Sequence, residues 1–169
     1  MLFRSVRAGG VLVMQGAPEI LVVDDNPADA VLVRESLAET SHQSHIHSVT
    51  DATEALAYLR HQGKYQMTAR PDLVILDLNL VHRDGHKFLT VIKSDSGLRQ
   101  IPVVVFSSSE SLSDITRSYL LGANCYVSKP ADLKRYFSAV RAIEEFWFGY
   151  ASLPKKENDE RSSCARIAD

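Results

Sequence analysis

A doubly wound α/β fold, one five-stranded parallel sheet with helices on both faces, is what the sequence predicts. Three observations carry it. Short aliphatic runs alternate with segments of helical period five times over. Leu73-Val74-Ile75-Leu76 and Val103-Val104-Val105-Phe106 are continuous apolar runs, as strands buried on both faces of a parallel sheet are. Four of the runs end abruptly in polar residues, at the carboxyl ends where open α/β sheets build their sites.

The elements follow in order. Residues 19–23 read as the first strand. Asn26 is a good N-cap and Pro27 suits the first helical position, so a helix is expected to about residue 39, with Val31, Leu32 and Leu37 on its apolar face. His45 to Val49 is a weak second strand. Asp51 with Glu54 three residues on resembles a capping box and opens a helix carrying Ala55, Leu56 and Leu59. Residues 63–70 read as loop and 72–77 as the third strand. Phe88, Leu89 and Ile92 mark a third helix. Pro102 precedes the fourth strand, and Ile115, Tyr119 and Leu120 mark a fourth helix that Gly122 ends. Residues 124–128 are the fifth strand. From Asp132 a long helix places Leu133, Tyr136, Phe137, Val140 and Ile143 at a 3.6-residue period.

The 169 residues suffice for one domain with a real core. The organisation expected is an N-terminal extension over 1–17 without fixed structure, a folded domain over 18–150 and a polar, disordered tail over 151–169. Met14 is an alternative start to Met1. The formal net charge of −2 gives no basic excess to draw the chain onto nucleic acid or an anionic membrane. No apolar stretch approaches the ~20 residues of a spanning helix, and the run from Val11 to Met14 is too short for a signal peptide. Cys125 and Cys164 have neither metal-ligand nor disulfide spacing, and a reduced, cytoplasmic setting is expected.

The four polar strand ends are Asp24-Asp25, Asp77, Ser107 and Lys129. In one register they put three carboxylates, a hydroxyl and an ammonium along one sheet edge. Such an oxygen-rich site suits Mg²⁺, which takes one or two carboxylates and keeps several waters. A carboxylate can act as nucleophile toward a phosphoryl group, Lys129 can meet a phosphate oxygen and Ser107 another. Several neighbours read more plainly. Asp29 is a helix-dipole charge in the first turn. His42, His45 and His47 alternate like metal ligands, but have no matching carboxylate or thiol and read as loop and strand residues. His82 and His86 read as solvated.

The segments ILVVDDN, LVILDLN, VVVFSSS and CYVSKP resemble the response-regulator receiver domain of two-component signalling, over residues 19–148. DDNPADAVLVRESL, DLNL followed by DG, NCY and the late EEFW are similar to the small single-domain regulators paired with bacterial and cyanobacterial phytochromes. The resemblance implies a flavodoxin-like strand order, 2-1-3-4-5. It implies Asp77 as phosphoacceptor, Asp25 as direct Mg²⁺ ligand, Asp24 as companion carboxylate and the Asn79 backbone carbonyl as a further ligand. Ser107 would be the switch hydroxyl, Tyr126 the aromatic that follows it, Lys129 the phosphate-binding lysine and Lys129–Pro130 a cis peptide. Val81 departs from the family, which usually has proline there.

Function expected on this basis is that of a phosphoacceptor switch, not an enzyme in the ordinary sense, serving a sensor histidine kinase of phytochrome type. The rings of Phe146, Trp147 and Phe148 are more than one face of a last helix can bury, and are expected to seal a homodimer. The alternative is a dimeric adaptor of the same fold that is never phosphorylated, which would have no need of crowded carboxylates. A flavin carrier is disfavoured because Asp24-Asp25 would repel a phosphate after the first strand. No basic helix follows the domain to bind DNA.

Overall fold

A computed structural model describes residues 5–8, 11–14, 16–80 and 84–154. Strands β3 (Glu19–Val23), β4 (His45–Val49), β5 (Leu73–Leu76), β6 (Val103–Ser107) and β7 (Cys125–Ser128) form one parallel sheet in the order β4-β3-β5-β6-β7. Numbered within the sheet, that is the order 2-1-3-4-5 the resemblance implies. Ahead of it, where no regular element is predicted, β1 (Ser5–Ala8) and β2 (Val11–Met14) pair antiparallel as a separate sheet.

Among the described residues, five α-helices connect and follow the sheet strands: α1 (Pro27–Leu37), α2 (Ala52–Leu59), α3 (Gly85–Ser94), α4 (Leu112–Leu120) and α5 (Leu133–Glu145). Two of the caps are those the sequence announces: Asn26 accepts from the Ala28 amide with Pro27 behind it, and Asp51 accepts from the Glu54 amide. Asp132, at the expected start of the last helix, also caps it, accepting from the Arg135 amide. Glu54 turns away from the capping box to Tyr65 and Lys64, at 2.6 and 2.7 Å.

Alternation along the central strands divides the core in two. Leu21, Val23, Val74, Leu76, Val103 and Val105 face α2 and α3. Ile20, Val22, Leu73, Ile75, Val104 and Phe106 face α1 and α5, where Val33, Leu37, Tyr136, Val140 and Ile143 meet them. Helix α4 is different. Of its residues only Ser118 is buried, and Leu112, Tyr119 and Leu120 are exposed, because it lies at the sheet margin beside β7 and α3.

After α5 the chain makes a π-helical turn, Phe146–Tyr150. Trp147 and Phe148 fold back onto the α1/α5 core, whereas Phe146 and Tyr150 are 55% and 79% exposed. Because α5 runs back against the strand direction, the chain then reaches the opposite rim of the sheet. There Leu153 and Pro154 meet Arg70, Pro71, Ile101 and Pro102, residues that lead into β5 and β6. Val81, His82, Cys164 and most of the expected C-terminal tail lie outside the described residues. Among the described residues, no helix is long and apolar enough to cross a membrane.

Candidate functional site

Parallel pairing sets the site. Val23 of β3 is level with Leu76 of β5, so Asp24 and Asp77 leave the sheet side by side. Ser107 ends β6 opposite Ser128, and Lys129 follows at once. The Lys129 amide donates to the Ser107 carbonyl at 2.8 Å, which extends the ladder one step and holds the lysine over the carboxylates. Asp24 and Asp77 are each 6% exposed and Ser107 is fully buried.

Lys129 is the hub. Its ammonium donates to Asp24 Oδ2 at 2.7 Å, Asp77 Oδ2 at 2.7 Å and Asp29 Oδ2 at 2.9 Å. The remaining Asp77 oxygen, Oδ1, accepts from the Ser107 hydroxyl at 2.7 Å and from the Asn79 amide at 2.9 Å. Asp24 Oδ1 accepts from the Asn26 amide at 2.9 Å. Burial opposes the ammonium's charge, but Asp24 and then Asp77 outweigh it and raise the lysine pKa. Burial likewise raises the Asp24 carboxyl, against the pull of Lys129 and the Asn26 amide. These two directions conflict over one pair; the 2.7 Å contacts decide for the charged form, since a charge-assisted bond this short needs both ions.

The sequence-predicted residues are thus gathered, with differences in detail. Asp24, Asp77, Ser107, Asn79 and Lys129 share one network. Asp25, expected as the direct ion ligand, stands half-buried beside it and makes no hydrogen bond or ion pair among the described residues. Asn79 contributes more than a backbone: its side-chain amide donates to Ser107 Oγ at 3.4 Å and Ser108 Oγ at 3.1 Å. Tyr126 points inward, its hydroxyl donating to the Ser109 carbonyl at 2.7 Å, while its own amide donates to the Tyr119 hydroxyl on α4 at 3.1 Å. The Lys129–Pro130 peptide bond is trans, a correction to the cis form the resemblance implies. The intrinsic preference between the two is only about 0.5–1 kcal/mol before proline, so local packing chooses.

Two roles were not legible in the sequence. Asp29 is a full partner of Lys129, not a free helix-dipole charge; it sits in the first turn of α1, and the lysine it meets is 100 residues away. His86 is not solvated: its Nε2 lies 3.1 Å from Ser118 Oγ, bridging α3 to α4. The three alternating histidines do not converge. His45 pairs with Glu19, His47 stacks on Tyr58 and His42 pairs with Glu145.

Oxygen atoms of Asp24, Asp29 and Asp77 lie within 4.8 Å of one another, and the Lys129 ammonium is what draws them together. With Asp25 there are four carboxylates against one ammonium, a formal charge of −3 when all are ionised. Such a surplus, made wholly of hard oxygen donors, fits a divalent cation of the oxygen-seeking class.

Residues 20–141 match the response regulator receiver domain. The chain belongs to that family. It is similar to the response regulator Rcp1 of Synechocystis sp. (strain ATCC 27184 / PCC 6803 / Kazusa), 41% identical over 135 residues that cover 80% of this chain and 92% of that one. Among solved structures it is similar to the phosphorylated cyanobacterial phytochrome response regulator RcpA, at 46% identity and a TM-score of 0.79, covering 83% of this chain and all of that one. It is also similar to the Mn²⁺-bound form of Rcp1, at 40% identity and a TM-score of 0.77, covering 82% and 99%. Receivers are two-component signalling proteins, and they bind a divalent metal at an acidic pocket of this kind.

Proposed function

We propose that this receiver takes a phosphoryl group on Asp77 from a sensor histidine kinase of the phytochrome class, with Mg²⁺ as its ion. The observation that carries the reading is the double hold on Asp77. Lys129 meets one oxygen and the Ser107 hydroxyl the other, both at 2.7 Å, so a cation and a hydroxyl already stand where phosphoryl oxygens would arrive. The pairing with a phytochrome rests on the likeness to RcpA and Rcp1.

In the transfer, an Asp77 oxygen forms the new P–O bond as the P–N bond of a phosphohistidine breaks. The imidazole nitrogen leaves with the electron pair. Lys129 turns toward a phosphoryl oxygen, and Ser107 donates to another. Asp24, Asp25, Asp77 and the Asn79 carbonyl would hold Mg²⁺, which supplies charge neutralisation for the incoming group. Catalysis of this kind is mostly positioning and electrostatics, which is what a preformed network provides.

The output leaves through Ser107, Tyr126 and α4. Tyr126 is bonded to the Ser109 carbonyl and, through its amide, to Tyr119 on a helix that buries little. A change at Asp77 therefore has a short route to an exposed surface, as a shift between two packed arrangements. The working unit is a cytoplasmic homodimer without nucleic acid, its seam at the end of α5; of Phe146, Trp147 and Phe148, Phe146 presents most of its ring outward, while the other two pack in part on the chain's own core.

The test is transfer from a small acyl phosphate with Mg²⁺, followed by phosphate-affinity electrophoresis. Wild type is expected to gain one acid-stable, base-labile label, and Asp77→Asn none. Labelling of Asp77→Asn at the wild-type level sinks the assignment.

A further inference from the structure

Tyr136 is the odd polar group of the α1/α5 core. It is 4% exposed, its ring packs edge-on against Phe106 at 5.0 Å, and its hydroxyl has no partner within hydrogen-bond distance, the Asp29 carboxylate being the side chain that bears on it. A buried unpaired hydroxyl costs about 1–3 kcal/mol, so a phenylalanine would serve a purely structural role better. The charges that act on this phenol are those of the site: Asp29, Lys129 and Asp24, with Asp29 foremost among them. Burial and Asp29 both hold its pKa far above the usual tyrosine range, so it stays a hydroxyl, able to donate.

Asp29 is the group it is poised to serve. All three N–H donors of Lys129 are committed, one each to Asp24, Asp29 and Asp77. No donor is spare for a phosphoryl oxygen. An ammonium that moves to a phosphoryl group must loosen one of its carboxylates, and Asp29, at 2.9 Å, has the longest of the three bonds. A carboxylate so released, 17% exposed and beside Asp24, needs another donor at once.

We infer that Asp29 holds Lys129 in the resting protein, and that the Tyr136 hydroxyl takes Asp29 over when the lysine turns to the phosphoryl group. Tyr136 and Asp29 are positioning residues; neither touches the reacting atoms. The exchange ties the charge state of Asp77 to α5 through a side chain of α1. It rests on Asp77 being the phosphoacceptor.

The experiment uses the full chain with acetyl phosphate and Mg²⁺, in wild type, Tyr136→Phe, Asp29→Asn and the double variant. Melting temperature without donor is read beside the half-life of the aspartyl phosphate. Tyr136→Phe is expected to melt at or above wild type, because its hydroxyl makes no close hydrogen bond at rest. Its phosphoryl half-life is expected to fall roughly three- to ten-fold, the range of one hydrogen bond made only in the modified state. In the Asp29→Asn background the same change is expected to do nothing. A Tyr136→Phe protein with wild-type half-life overturns the inference, as does an equal loss with and without Asp29. If wild type takes no label, the function itself fails, which is a separate result.

Discussion

Lys93 shows how an ion can be kept in a folded chain without a counter-ion. Its ammonium donates to the Ile101 carbonyl at 2.8 Å, Asn124 Oδ1 at 2.9 Å and the Arg99 carbonyl at 3.3 Å, and no carboxylate pairs with it among the described residues. Burial pushes its pKa down to about 8, against about 10.4 in an unfolded chain. Between those values the unfolded chain holds the proton and the folded chain has released it. Stability therefore rises with pH from about 8 toward 10.4, and the penalty for the charge is fully present below 8. Tyrosines held above their usual range, such as Tyr58 and Tyr126, act oppositely at higher pH, so the comparison must be with a variant. Lys93→Met is expected to remove the rise between pH 8 and 10 in urea midpoints. A direct ¹³C titration of the Lys93 side chain that gives a value near 10.4 contradicts the argument.

At the same scale, the sequence spoke clearly where chemistry clusters along the chain and weakly where it does not. Asp24, Asp77, Ser107 and Lys129 each stand at the end of an apolar run, so strand pairing alone brings them together. Asp29 and Tyr136 carry no such mark. Each sits at a helical position whose local reading is complete without the other, as a first-turn acid and a core-face aromatic. Only the packing of α1 on α5 joins them to Lys129.

Among the elements, the β5–α3 connection carries the tightest constraint. A Cβ on Gly85 would stand 2.6 Å from the Leu78 Cα and within 2.9 Å of the Leu78 and Asp77 carbonyl oxygens. The start of α3 thus presses on the backbone that carries Asp77 and Asn79. Gly85→Ala must push that backbone aside, at a cost of about 1–3 kcal/mol in the manner of an overpacked core. It is expected to lower the melting temperature and, unlike a remote core change of equal cost, to slow labelling of Asp77. Wild-type labelling by a destabilised Gly85→Ala protein would separate the loop from the chemistry. The elements themselves were legible: β3 and β4 keep their predicted bounds, and both predicted side-chain caps, Asn26 and Asp51, are in place. Helix α4 was legible as a helix but not in its burial. Periodicity records which residues share a face, and says nothing about whether a neighbour covers it.

For the whole molecule, the proposed dimer turns on which rings of the π turn face outward. Trp147 and Phe148 contribute to the chain's own core, which leaves Phe146 and Tyr150 as the outward rings of the π turn. Phe146→Ser is expected to shift the protein from dimer to monomer by light scattering at micromolar concentration, with little loss of stability because the ring is exposed. A wild-type protein that is monomeric both before and after phosphorylation refutes the seam.

The course of the chain beyond α5 has a practical side. Asp24, Asp77, Ser107 and Lys129 hang from the carboxyl ends of the strands, whereas Pro18, which leads into β3, and Leu153 with Pro154 lie at the other rim. The span from Asp77 to that rim is the full height of the sheet. A dye, a surface tether or a fused reporter joined at Pro154 therefore starts on the far side of the molecule from the acidic pocket, and the receiver can be immobilised or tracked with Asp77 left open.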